Sequence, residues 1–235
     1  MNSNRTVAAM LGRTVLFKSL AERDRLVIAR QMTPASFTAD QLIFARGDPG
    51  NDIYLVLSGR VRLSVFALDG RMLSFKHAAT GDIFGEIGPL DGGVRTADAT
   101  ALTQVEVMSL QRGKLNALLE GNPRVARAAI KFLCIRLRET SELAEGIALH
   151  PIEMRLARFL LSTLRRQRSE DAATAHAAIE LGITQGELAL LIGASRQKVN
   201  AALHALEEIG AIRRTRTRLF CNEAALLRAA ELEQS

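Results

Sequence analysis

Residues 124–147 contain no proline and a single glycine, Gly146. Within them Ala126, Ile130, Leu133, Leu137, Thr140, Ala144 and Ile147 recur at alternating steps of four and three. That spacing predicts a long helix with one apolar seam, about three heptads of it, suited to pairing with a copy of itself. It also divides the chain. Pro123 opens the helical stretch and His150-Pro151 closes it, because a residue before proline avoids helical dihedrals. Three segments follow: residues 1–121, residues 122–150 and residues 151–235.

The first segment has a different period. After a short helical start come Asp40 to Phe44, Ile53 to Leu57 and Val61-Leu63-Val65, the last with period-two alternation, then Met72 to Phe75 and Ala99 to Leu110. Turn signals separate them at 47–51, Ser58-Gly59, Asp69-Gly70, Gly81-Asp82 and 91–93. Short strands with frequent turns predict an antiparallel barrel or jelly roll. The predicted class is α+β: an N-terminal antiparallel β-roll, a long dimerisation helix and a C-terminal helical domain with a hairpin.

In the last segment Ile152 to Leu164 is amphipathic, and a loop is expected over 168–175. Thr184-Gln-Gly-Glu187 has the spacing of a capping box. Leu188, Leu191 and Ile192 give that helix an apolar stripe, Gly193-Ala194 a tight turn, and Ser195 a cap for a second helix with Val199, Leu203 and Leu206 facing inward. Two capped helices around a tight turn make a helix-turn-helix. Gly210 ends it, and Ile212 to Cys221 predicts a hairpin wing.

Charge singles out the same region. The chain carries a formal +6. From Arg196 to Arg218 there are six basic residues (Arg196, Lys198, Arg213, Arg214, Arg216, Arg218) against Glu207 and Glu208. A local basic excess suits a phosphate-bearing partner. Arg196, Gln197 and Asn200 fall on one face of the second helix, where arginine can pair with guanine and glutamine or asparagine with adenine. Thr184 and Ser195, at helix N-termini, are placed to hold phosphates, and Arg213 and Arg214 to add contacts from the wing. The expected partner is double-stranded DNA.

Glycine and arginine mark a second site. In Gly81-Asp-Ile-Phe84-Gly85-Glu86-Ile87-Gly88-Pro89-Leu90, followed by Arg95-Thr96-Ala97, Gly85 permits close approach of backbone to a ligand. Glu86 through Leu90, Ile87 among them, can form one helical turn whose N–H groups face an anion. Arg95 offers a planar fork for phosphate. Glu86 beside these donors suits a hydroxyl. The residues alone reach a small sugar phosphate, with a Glu86–Arg95 salt bridge as the alternative.

This Phe84-to-Gly88 and Arg95-to-Ala97 pattern resembles the phosphate-binding cassette of cyclic-nucleotide-binding domains. With the long helix and the winged helix-turn-helix, residues 15–222 resemble the cyclic-AMP receptor protein (CRP/FNR) family of bacterial transcription regulators. The resemblance implies that Gly85 and Thr96 bind the cyclic phosphate, Arg95 neutralises it and Glu86 accepts the ribose 2′-OH. It implies purine contacts from Thr140 of the same subunit and Ser141 of the partner. It implies a homodimer on a palindromic operator, RNA polymerase as a further partner, cyclic AMP as effector, and no metal. Two departures bear on specificity. One residue fewer separates Glu86 from Arg95, and Thr96 follows the arginine as in cyclic-GMP-binding domains, so cyclic GMP is a second candidate. Gln197 and Ala201 stand where the family often has glutamate and arginine, so a different half-site is expected.

Other classes find less support. Cys134 and Cys221 lack CxxC or zinc-finger spacing and lie far from the N-terminus, unlike an N-terminal iron–sulfur cluster. His77 is the one candidate haem ligand beside the cassette strand. No GxSxG, GxxxxGK[ST] or HExxH motif is present, so no enzyme is expected. The sequence has no apolar run of 18 residues, and Gly12-Arg13 interrupts the N-terminal apolar stretch, which argues against a secretory signal. A cytoplasmic protein with reduced thiols is expected.

Overall fold

The computed structural model describes residues 2–167, 176–215 and 218–231. They divide into two compact units, 1–140 and 141–235.

The first unit begins with α1 (Asn2–Leu11) and α2 (Glu22–Gln31). Glu22 and Asp24 in the first turn of α2 and Arg30 in its last complement the helix dipole. Eight strands follow: β1 (Thr33–Phe37), β2 (Leu42–Phe44), β3 (Asp52–Ser58), β4 (Arg60–Phe66), β5 (Met72–Ala79), β6 (Ile83–Phe84), then helix α3 (Ile87–Asp91), β7 (Asp98–Ala101) and β8 (Val105–Gln111). They form two four-stranded antiparallel sheets, ordered β1-β8-β3-β6 and β2-β7-β4-β5. The predicted β-roll is present.

Its details differ from expectation in three places. The stretch 99–110 is two strands, not one: β7 pairs with β4, and after a corner where Leu102 N donates to Arg60 O, β8 pairs with β3 in the other sheet. The alternation of Val61, Leu63 and Val65 is interrupted by a register shift between Leu63 and Ser64, which turns Ser64 inward opposite Ser74. β1 carries no alternating signal and includes Pro34; it survives as an edge strand, where a missing N–H is tolerated.

Val56, Val61, Ala78, Phe84, Ala99, Ala101, Val105 and Val107 fill the space between the sheets. Leu55 and Leu110 face the other way, into a second core with Leu11, Phe17, Ile28, Leu115 and Phe132. That core is completed by α4 (Arg112–Gly121) and by α5 (Pro123–Leu149). Asn122 joins the two helices: its Oδ1 accepts from Arg124 N at 3.0 Å, and Pro123 occupies the first helical position, where no N–H is needed. α5 buries Val125, Ala129 and Phe132 and leaves the heptad seam uncovered. Ile130 and Leu137 are 64% and 68% exposed.

α5 stops at Leu149, one residue before the His150-Pro151 step, and α6 (Ile152–Gln167) starts beyond it. In the second unit follow β9 (His176–Ile179), α7 (Gln185–Ile192), α8 (Arg196–Glu208), β10 (Ile212–Arg214), β11 (Leu219–Asn222) and α9 (Glu223–Glu231). The expected loop over 168–175 lies outside the described residues, as does Arg216. β10 and β11 form the predicted hairpin, and β9 adds a third strand that no turn signal announced, giving β10-β11-β9. Leu156, Leu160, Leu188, Ile192, Val199, Leu203, Leu206 and Leu226 share one core. No described helix is long and apolar enough to cross a membrane.

Candidate functional sites

The cassette is laced into the first unit by its backbone. Arg95 N donates to Asp48 O, Gly47 N to Arg95 O, and Gly50 N to Gly93 O. These bonds hold the 93–96 segment against the 47–51 turn. Gly85 has φ +74°, a left-handed conformation. Its carbonyl and that of Asp52 accept from Arg95 Nη1 at 2.6 and 2.8 Å. The guanidinium lies 4.1 Å from the Phe44 ring centre. Phe44, Tyr54 and Phe84 stack on one another beneath it.

Arg95 is therefore a buried cation, 4% exposed, with no carboxylate at ion-pair distance among the described residues. Burial pushes its pKa down, against the raising influence of Tyr54, Asp52, Asp48 and Glu86. Its Nε is buried without a hydrogen-bond partner. An unmet buried donor on a guanidinium costs about 1–3 kcal/mol or more, and a bound anion would recover it. Burial also raises the Tyr54 hydroxyl, with Asp52 adding to the rise and Arg95 opposing it.

Glu86 does not pair with Arg95. It is 6% exposed, and its Oε1 accepts from Arg136 Nε at 3.1 Å. Arg136, on α5, also donates to Ile83 O at 2.8 Å and to Glu139 Oε2 at 3.0 Å. Lys76 Nζ stands 3.9 Å from that same Glu139 oxygen. Nothing in the sequence singles out Arg136. It lies 50 positions from Glu86, and nothing local distinguishes it from Arg138, which is exposed. Ile87, which opens α3, and Thr96 are exposed beside the cassette. Thr140 and Ser141 are exposed on α5.

The second unit holds the other site. Thr184 caps α7, its Oγ1 accepting from Glu187 N at 3.1 Å; Ser195 caps α8, its Oγ accepting from Lys198 N at 3.3 Å. Both caps are exposed. Each hydroxyl uses a lone pair on the helix and keeps its own O–H to donate outward. Between the helices Gly193 adopts φ +67°, as a left-handed helix terminus requires. Val199, Ala202, Leu203 and Leu206 are buried, so Arg196, Gln197, Lys198 and Asn200 stand on the exposed side. In the wing, Arg213 is exposed and its guanidinium lies 4.7 Å from the Phe220 ring. Arg214 turns toward α8 and pairs with Glu207. The structure thus gathers Gly85, Glu86 and Arg95 into one site and Arg196, Gln197 and Asn200 onto one face.

A β-roll with an anion cassette, a long helix with an open seam and a winged helix-turn-helix define a ligand-responsive, DNA-binding transcription regulator. Two family models match the chain: a cyclic nucleotide-binding domain over residues 34–122 and a Crp-like helix-turn-helix domain over residues 154–230. The chain is 30% identical over 204 residues to the CRP-like cAMP-activated global transcriptional regulator of Mycobacterium tuberculosis, covering 87% of this chain and 90% of that one. It is 36% identical over 185 residues to the cyclic AMP receptor protein of Thermus thermophilus, covering 79% and 82%. FixK2 from Bradyrhizobium japonicum shares the fold, with a TM-score of 0.75 at 22% identity over 84% of this chain and 96% of that one. The chain belongs to the CRP-like family of transcription regulators.

Proposed function

We propose that this chain is a homodimeric regulator whose DNA binding is gated by cyclic AMP. The buried Arg95, with an unmet Nε beside the left-handed Gly85, carries the ligand half of this reading. A cyclic phosphate would take that donor together with N–H groups of the Ile87 turn and the Thr96 hydroxyl. Glu86 would take the ribose 2′-OH, sharing its carboxylate with Arg136. Thr140 would meet the purine from the same subunit and Ser141 from the partner. Two relatives named as activated by or receptors for cyclic AMP support this choice. Thr96 favours a second reading, in which cyclic GMP occupies the same pocket.

The exposed seam supports the dimer. Ile130, Leu133, Leu137 and Ile147 are large apolar side chains in heptad register, left open to solvent in the single chain. A second copy buries them symmetrically. Two recognition helices would then meet successive major grooves about 34–36 Å apart on a palindromic operator. Thr184, Ser195, Lys198 and Arg213 would hold phosphates, and Arg196, Gln197 and Asn200 would read bases. The ligand must favour the DNA-competent state, so DNA must tighten ligand binding by the same factor. This activity belongs in the cytoplasm, with RNA polymerase as the downstream partner.

Calorimetric titration with cyclic AMP and cyclic GMP tests the gate. Binding of either nucleotide, lost in Arg95→Ala, is the expected result, and the tighter of the two names the effector. Unchanged affinity in Arg95→Ala refutes the cassette assignment. Sedimentation of Leu137→Glu tests the seam: a monomer is expected, and an intact dimer refutes it.

A further inference from the structure

The exposed face of α8 carries a polar cluster that the cassette and the caps leave unused. Asn200, His204 and Glu207 fall at i, i+4 and i+7, one above the other. Arg214 reaches them from β10. Its backbone N–H donates to Glu207 Oε1 at 3.0 Å, and its Nη2 donates to the second oxygen, Oε2. Nη1 donates to Asn200 Oδ1 at 3.4 Å. Nη2 also lies 3.3 Å from Nδ1 of the His204 ring. Glu207 is thus gripped twice, and the Arg214 hydrogen bond is the largest of the influences that hold its carboxyl below the ordinary value. A guanidinium engaged by three side chains has little left for a DNA phosphate.

We propose that Arg214 is a positioning residue that fixes the Asn200 amide and thereby the base this helix accepts. Arginine has donors only, so the amide oxygen of Asn200 must be the atom that faces it. The amide NH2 is then turned away from the wing. Two-point recognition of adenine needs the oxygen and the NH2 side by side at the base, one accepting from N6 and one donating to N7. With its oxygen drawn to Arg214, Asn200 presents donors. It therefore favours a base edge without a competing donor, N7 and O6 of guanine or O4 of thymine, over adenine, whose N7 acceptor sits beside the N6 donor that the amide NH2 cannot satisfy. Glu207 holds Arg214 at this post, and the short connection through Gly210 sets β10 beside α8.

The inference rests on the reading that α8 enters the groove with Asn200 at a base edge, and the experiment separates the two. The 235-residue chain, with cyclic AMP and cyclic GMP both present, is selected against a randomised duplex library. Parent, Asn200→Ala, Arg214→Met and Arg214→Lys are compared, and affinity is followed against salt. Lysine keeps the charge but cannot span Asn200 and Glu207 together, so it controls for loss of folding in Arg214→Met. The expected parent profile shows guanine or thymine at one position per half-site. Both Arg214 variants reduce discrimination there by about tenfold, within the range of one good base contact, and move it toward adenine. The rest of the profile and the salt slope stay unchanged. A profile unaltered by Arg214→Met, with a salt slope smaller by about one, makes Arg214 a phosphate contact and overturns the inference. A profile unaltered by Asn200→Ala overturns the base-reading assignment of Asn200 itself. Adenine already preferred by the parent at the position Asn200→Ala erases overturns the donor-only argument alone.

Discussion

Replacing Gly85 by alanine applies two separate strains to the ligand site. The backbone there has φ +74°, which costs an L-residue roughly 1–2 kcal/mol. The new Cβ would also stand 2.8 Å from Arg95 Nη1 and 3.3 Å from both Phe44 and Tyr54. Arg95 cannot swing aside freely, because that same Nη1 bonds the carbonyls of Gly85 and Asp52. Displacing it gives up at least one charge-assisted bond, about 1.5–3 kcal/mol. The sum is about 2.5–5 kcal/mol, a large share of the roughly 5–15 kcal/mol that holds a domain folded. Tyr54 is the only tyrosine, and the chain has no tryptophan. Its emission therefore reports unfolding of the unit that holds the cassette. With a urea slope of about 2 kcal/mol/M, the midpoint falls by roughly 1.2–2.5 M. Gly81→Ala is the control: its φ is also positive, at +89°, but nothing lies within 4 Å of the added Cβ. It should lose only the backbone part, a midpoint shift of about 0.5–1 M. Equal shifts in the two variants would remove the Arg95 collision from the explanation.

Three further outcomes follow from the same geometry. Arg136→Met strands Glu86 as a buried charge and should lower the Tyr54-detected stability by about 3–5 kcal/mol, with Glu86→Gln restoring part of the loss; no rescue would mean the pair is not the source. Burial pushes the Cys221 thiol up to about 12, whereas Cys134 is exposed, so a thiol reagent at pH 8 should modify one cysteine in the native protein and two after unfolding. Arg214 depresses the Glu207 carboxyl below its ordinary value of 4.5, chiefly through a side-chain hydrogen bond. The folded pKa is the lower one, so its contribution is complete above the unfolded value and is lost as pH falls through the folded one. Thermal melts of Glu207→Gln should therefore lie below the parent at pH 6 and converge with it in strong acid; parallel curves at all pH values would refute the assignment.

Local chemistry wrote a good part of this molecule into the chain. A heptad, a cap or a left-handed glycine is decided by residues within a turn or two of one another. So the seam of α5, the caps at Thr184 and Ser195, the break at Pro151 and the Gly85 turn could all be read in order along the sequence. Other features depend on partners that only sheet closure supplies. β1 and β9 lack an alternating pattern and exist because β8 and β11 offer them open edges. The Ser64 bulge and the crossing of 99–110 between sheets follow from the need to close a roll around a small core. The same holds for the electrostatics. Glu86 and Arg95 look like a pair when read nine residues apart, yet the fold gives Glu86 to Arg136 and gives Arg95 two backbone carbonyls. Arg214 reads as a phosphate contact on the wing until β10 is placed beside α8, where it pairs with Glu207. Charges choose partners by distance in space, over a few ångströms and in competition with water. That choice was made only once strands far apart in sequence had come together.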